Sequence, residues 1–141
     1  MKLSLLPLFF ALSLLSSCEP MPERIVESNW SSEQPKLVSY YLEDGDKKIK
    51  TSEEKFYDNG TMEYSGSFDS DGKRQGEWKY YYQDGTLWSL GNYEHGLKTG
   101  AKLVYWPDGQ VRYEGFFAND QKSGHWKFYN LDGSLLQEMD F

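Results

Sequence analysis

Aromatic and apolar residues recur at fixed positions through the second two-thirds of the chain. Asn59-Gly60, Asp84-Gly85, Asp108-Gly109 and Asp132-Gly133 follow one another at spacings of 25, 24 and 24 residues. Four residues before each of these glycines stand Phe56, Tyr81, Tyr105 and Tyr129, and two residues after stand Met62, Leu87, Val111 and Leu135. Six after come Gly66, Gly91, Gly115 and Met139, and eight after come Phe68, Tyr93, Phe117 and Phe141. Rings therefore return about every 12 residues, with one slip at Asp69-Ser70-Asp71-Gly72. That beat is the spacing of strands joined by turns, and Asn-Gly or Asp-Gly supplies the positive backbone angle that tight hairpins need. The pattern predicts an all-β chain, an elongated antiparallel meander of hairpins with a 24-residue repeat. Asp44-Gly45 reads as a degenerate earlier member of the same turn series.

The repeat also bears on hairpin geometry. A three-residue loop ending in Gly sets the residue four before the glycine opposite the residue two after it, pairing Tyr81 with Leu87. Strict alternation along the strand then places the positions at +4, +6 and +8 on that same face. Trp78, Tyr80, Tyr82, Trp88, Leu90 and Trp106 fall on the opposite parity, which leaves the second face partly apolar. A single hairpin buries too little to stand alone, so neighbouring repeats must stack.

Two stretches, Gly76-Glu77-Trp78-Lys79-Tyr80-Tyr81-Tyr82-Gln83-Asp84-Gly85 and Gly124-His125-Trp126-Lys127-Phe128-Tyr129, share the form Gly-x-Trp-x-x-Tyr. In the first copy a Gly turn follows within the quoted stretch, and in the second it follows at Asp132-Gly133. They resemble the bacterial MORN-repeat variant of YwqK-type, antitoxin-like proteins. The resemblance extends from about residue 36 to the end and is weak before Lys55. The third copy departs from it, with Ala101-Lys102 where the Trp is expected. The resemblance implies one curved antiparallel sheet built from repeated hairpins, with residues 36–141 as the repeat domain.

Residues 1–17 read as an address rather than as structure. Lys2 precedes the apolar run Leu3–Leu15, which is too short for a bilayer span of about 20 residues. The run ends in Leu15-Ser16-Ser17-Cys18, with Cys18 the sole cysteine. This resembles a lipoprotein lipobox, which implies acylation of the Cys18 thiol, cleavage before it and attachment to a membrane. Two or three acyl chains suffice for stable anchoring. Glu19 follows where an Asp would imply inner-membrane retention, so the outer membrane or cell surface is favoured. Residues 18–35, with Pro20, Pro22 and Pro35, read as the acylated cysteine and a flexible tether able to reach about 55 Å when extended.

Composition narrows the function. The 141 residues carry 15 Lys and Arg against 22 Asp and Glu, a net charge of −7, which argues against binding nucleic acid. The 5 Trp, 11 Tyr and 8 Phe argue against disorder. The two histidines, His95 in a turn and His125 where sister copies have Glu77 and Ala101, form no catalytic or metal-binding motif. Asp69-Ser70-Asp71-Gly72 resembles the start of a calcium loop but lacks the flanking helices and the Glu at loop position 12, so it reads as a turn insertion. No enzyme, metal or cofactor is expected. Lys73, Arg74, Lys98 and Lys122 recur in the second turn of successive repeats and read as solvated charge that discourages edge pairing, with anionic headgroups as the other reading. The best candidate contact surface is Trp78, Tyr80, Tyr82, Trp88 and Trp106, since Trp and Tyr dominate interface hot spots. The leading expectation is a lipid-anchored, non-enzymatic module of the cell envelope holding a protein partner. The alternatives are an antitoxin-like neutraliser and an envelope glycan binder.

Overall fold

The computed structural model describes residues 20–141. Cys18 and the apolar leader lie outside the described residues. Ten strands run in sequence order: β1 Glu23–Ser31, β2 Gln34–Asp44, β3 Lys47–Phe56, β4 Met62–Phe68, β5 Arg74–Tyr81, β6 Leu87–Glu94, β7 Leu97–Tyr105, β8 Val111–Ala118, β9 Gln121–Tyr129 and β10 Leu135–Asp140. They form one open sheet in the order β1 to β10, and every neighbouring pair is antiparallel. Each strand takes its partners from the strands next to it in sequence, which is the quasi-one-dimensional logic of a repeat array.

The three-residue loops are present as expected. Gly85 N donates to Tyr82 O at 2.9 Å and Tyr82 N to Thr86 O at 2.8 Å, so Gln83-Asp84-Gly85 forms the loop. Gly85 closes it at φ +89°, a value L-residues avoid. The same bonds recur at Tyr57–Thr61, Trp106–Gln110 and Asn130–Ser134. Phe56 pairs with Met62, Tyr81 with Leu87, Tyr105 with Val111 and Tyr129 with Leu135, as the loop length requires.

The expected face does not extend beyond that first pair. A register shift follows at once in all four hairpins, where Tyr80 pairs with Ser89, Val104 with Tyr113, Lys55 with Tyr64 and Phe128 with Gln137. One extra residue is inserted each time: Glu63, Trp88, Arg112 and Leu136. This is a β-bulge, two residues facing one, and it reverses the parity of everything that follows. Phe56, Tyr81, Tyr105 and Tyr129 share one face, while Phe68, Tyr93, Phe117, Trp78, Trp106 and Trp126 lie on the other. Leu90 moves off the tryptophan side for the same reason.

From β5 onward the core sits on the tryptophan face, whereas Val38, also fully buried, lies on the opposite one in line with Glu54, Ser65 and Lys79. Trp78 is 0% exposed and Trp126 1%. Trp78 meets Phe68 edge-on at 5.3 Å and Tyr93 at 6.0 Å, and Trp126 meets Phe117 at 5.2 Å and Phe141 at 5.9 Å. Edge-to-face contacts at these distances are the favoured aromatic geometry.

Two boundaries need correction. The stretch 18–35, expected to be a flexible tether, enters the sheet at Glu23, so the sheet begins well before residue 36. β1 lacks apolar alternation because it is an edge strand, held by its ladder to β2 and by polar ties. Tyr41 donates to Glu27 at 2.7 Å, Lys48 pairs with Glu23 at 2.5 Å and Trp30 Nε1 donates to Phe56 O at 2.9 Å. Asp44-Gly45 belongs to the tight turns at the other end of the strands, between β2 and β3, in series with His95-Gly96 and Asn119-Asp120.

Candidate functional site

The five aromatic residues singled out from the sequence share one face, but they are not equally available. Trp78 is fully buried, and its Nε1 donates to Ser67 O at 3.1 Å. It is core and offers nothing to a partner, because the bulge turns it onto the side that closes over Gly66. Tyr80 is half-buried, its hydroxyl accepting from Arg74 at 2.9 Å. Tyr82 donates its hydroxyl to Tyr105 O at 2.8 Å, a tie from one hairpin to the next. Tyr57 makes the same tie to Tyr81 O one repeat earlier.

Trp106 stands at the equivalent place in the following repeat, beneath the Arg112 guanidinium at 4.4 Å, and its buried Nε1 has no hydrogen-bond partner. Trp88 differs from the other four. It is the extra residue of a bulge, 43% exposed, with its ring against Tyr80 at 6.1 Å and Tyr82 at 6.2 Å. Leu136, the bulge residue two repeats later, is 63% exposed. Bulges re-aim side chains, and here they aim one residue per repeat outward over the tryptophan face.

Cations line the opposite end of that face with the period of the repeat. Lys50 lies over Phe68 at 4.9 Å, Arg74 over Trp78 at 4.0 Å, Lys98 over Phe117 at 5.5 Å and Lys122 over Trp126 at 4.7 Å. Arg74, Lys98 and Lys122 thus cover rings rather than standing free along an edge, at distances where cations are attracted to the ring face. Arg74 is paired with Phe68 across the ladder and reaches Tyr93. The role is hidden in the sequence because Arg74, Lys98 and Lys122 each reach a ring 19 residues further on, Tyr93, Phe117 and Phe141.

Both histidines are hydrogen-bonded to carboxylates. His95 Nδ1 lies 2.8 Å from Asp69 Oδ2, and Asp69 Oδ1 accepts from the amides of Asp71 and Lys73. Those bonds, led by the Lys73 amide, hold the Asp69 carboxyl below its usual range. The Asp69-Ser70-Asp71-Gly72 segment is thus a closed turn. His125 lies 2.8 Å from Asp140 and 3.1 Å from Glu138, and hydrogen bonding to Asp140 first, then Glu138, raises its pKa. It is exposed and clasps β9 to β10. Among the described residues no group of three or more His, Cys, Asp or Glu side chains is arranged to hold a metal ion.

Residues 74–95, 98–119 and 122–141 each match the family model described as the MORN repeat variant. Residues 74–141 carry MORN-variant repeats. Each matched unit of this MORN array starts on a ring-covering cation, Arg74, Lys98 or Lys122. All three units then run through a strand, a tight turn and the next strand. The bulge and loop geometry continues upstream into β3 and β4, where the hairpin pairs Phe56 with Met62 in the same way. No curated protein shows significant similarity to the chain.

Proposed function

We propose that this MORN-repeat sheet is a non-enzymatic binding module of the bacterial cell envelope, held to lipid through Cys18 and presenting its bulge residues to a protein partner. The reading is carried by Trp88, a large aromatic that projects 43% exposed from a bulge while Tyr80 and Tyr82 brace its flank. Exposed tryptophan held by packed neighbours is the usual make-up of an interface hot spot. Leu136 extends the apolar surface along the repeat axis, and Arg112 supplies a charged rim above Trp106. The apolar leader before Cys18 supports the anchor. Glu19 after Cys18 favours the outer membrane or surface over the inner membrane.

The test is capture from detergent-solubilised membranes with the tagged full chain, alongside Trp88→Ala. A protein recovered in stoichiometric amount by the first and lost from the second supports the reading. Recovery of a basic toxin would assign the same surface an antitoxin-like role. Retention on peptidoglycan that depends on Trp88 would move the assignment to glycan. For the anchor, Cys18→Ala is expected to abolish palmitate labelling and release the protein from membranes; unchanged labelling would defeat it.

A further inference from the structure

Four residues stand in turn at one position of the repeat, directly across the ladder from the residue six past each loop glycine. They are Glu53 across from Gly66, Trp78 from Gly91 and Lys102 from Gly115, with Trp126 across from Met139, which takes the glycine's place in the last copy. Trp78 and Trp126 lie flat over the preceding strand's glycine and fill the space between the flanking rings. A Cβ added to Gly115 would stand 2.2 Å from Trp126 Cδ2. Glu53 is nearly buried but is neutralised by Lys50 and accepts from Tyr64 at 3.1 Å.

Lys102 breaks the series. Its stem runs over Gly91, with Cδ 3.2 Å from where a Cβ would stand, so it takes the place of the missing indole. An alkyl chain fills less than an indole, and a cavity of about 180 Å³ opens beside it. Its walls are the rings of Tyr80, Tyr93, Tyr113 and Phe117, with Lys98 and Lys102 at the polar side and no carboxylate in the lining. The Lys102 ammonium donates to Ser89 Oγ at 2.5 Å. A neutral hydroxyl does not compensate a half-buried charge, and burial, helped by the nearby Lys98, pushes the amine down to about 8. An acidic chain has thus gathered two amines and four rings around an opening that lacks a counter-charge. A cavity of about 150 Å³ admits benzene, so this one has room for a single ring with one small substituent.

We propose that the cavity binds a small monocyclic aromatic carboxylate, the carboxylate paired to Lys102 and Lys98 and the ring seated among Tyr80, Tyr93, Tyr113 and Phe117. The anion supplies the charge that the fold omits, and its ring supplies the atoms that the absent indole would have supplied. The site is separate from the exposed surface around Trp88 and stands whether or not that surface holds a protein.

The test is a titration of the full chain with benzoate, followed by nuclear magnetic resonance shifts of the Thr99 and Gly91 amides. Benzyl alcohol serves as the neutral analogue. Saturable shifts with a dissociation constant of about 1 mM or tighter are expected for benzoate, with binding at least about tenfold weaker for benzyl alcohol. Lys102→Met is expected to lose the preference for the anion, and Lys102→Trp to lose binding altogether by closing the cavity. Absence of saturable shifts with the unaltered chain, or equal binding of benzoate and benzyl alcohol, overturns the proposal without recourse to the variants.

Discussion

Trp78 lies so close over Gly66 that a methyl group on that glycine would stand 2.1 Å from ring carbon Cδ2. Neither partner can yield, since the indole is wedged between Tyr64, Phe68 and Tyr93. Gly66→Ala is therefore expected to destabilise by about 1–3 kcal/mol, the usual cost of overpacking a filled core. Gly91→Ala meets only the flexible stem of Lys102 at 3.2 Å and is expected to cost less. Urea unfolding of the two variants under identical conditions checks the difference.

Exposure separates tryptophans of structure from tryptophans of surface. Trp126→Ala removes a ring that is 1% exposed and touches Tyr113, Phe117, Phe128 and Phe141. A loss of about 3–5 kcal/mol is expected, seen as early unfolding of β8 to β10, since repeat arrays unfold by segments. Trp88→Ala is expected to cost about 1 kcal/mol or less while reducing partner capture at least tenfold. Hydrogen exchange and capture, run on both variants, read the two effects independently.

Lys102 gives the protein a distinctive response to alkali. Its folded pKa, about 8, lies below the ordinary value of 10.5, so between those values the unfolded chain binds more protons. Stability must then rise with pH through that window. The buried tyrosines act the other way: burial raises Tyr64 to about 12 and also raises Tyr80 and Tyr113. Unfolded tyrosine ionises first, and stability falls above about pH 10. Thermal unfolding midpoints are expected to peak between pH 8 and 10. In Lys102→Met the rise from pH 7 disappears, and that variant is the more stable one at pH 7.

Hairpins are tied to one another by a hydroxyl that recurs with the repeat. Tyr57 reaches Tyr81 O and Tyr82 reaches Tyr105 O, each at 2.8 Å. Tyr82→Phe is expected to cost about 0.5–1.5 kcal/mol, the net worth of one such bond. Trp106, next in the series, leaves its buried Nε1 without a partner. Trp106→Tyr is expected to restore the tie, to Tyr129 O, and to stabilise the chain by a similar amount. Chemical unfolding of both variants tests whether the third junction lacks what the first two have.

What the residues determine by themselves is local: the turns at Asn59-Gly60, Asp84-Gly85, Asp108-Gly109 and Asp132-Gly133, the three-residue loops, and the pairing of Tyr81 with Leu87. Each of these follows from backbone preferences within a few positions. The side of the sheet that becomes core was decided in three dimensions. A bulge at Trp88 or Arg112 is set by how two strands hydrogen-bond, and one unpaired residue reverses every side chain beyond it. That reversal buried Trp78 and Trp126, left Trp88 exposed, and brought Arg74, Lys98 and Lys122 over rings distant in sequence. β1 carries no strand signal in the chain because an edge strand draws on its neighbour's ladder rather than on a pattern of its own. The departure at Ala101-Lys102 was visible in the chain, but the cavity beside it exists only because the walls were built to fit an indole.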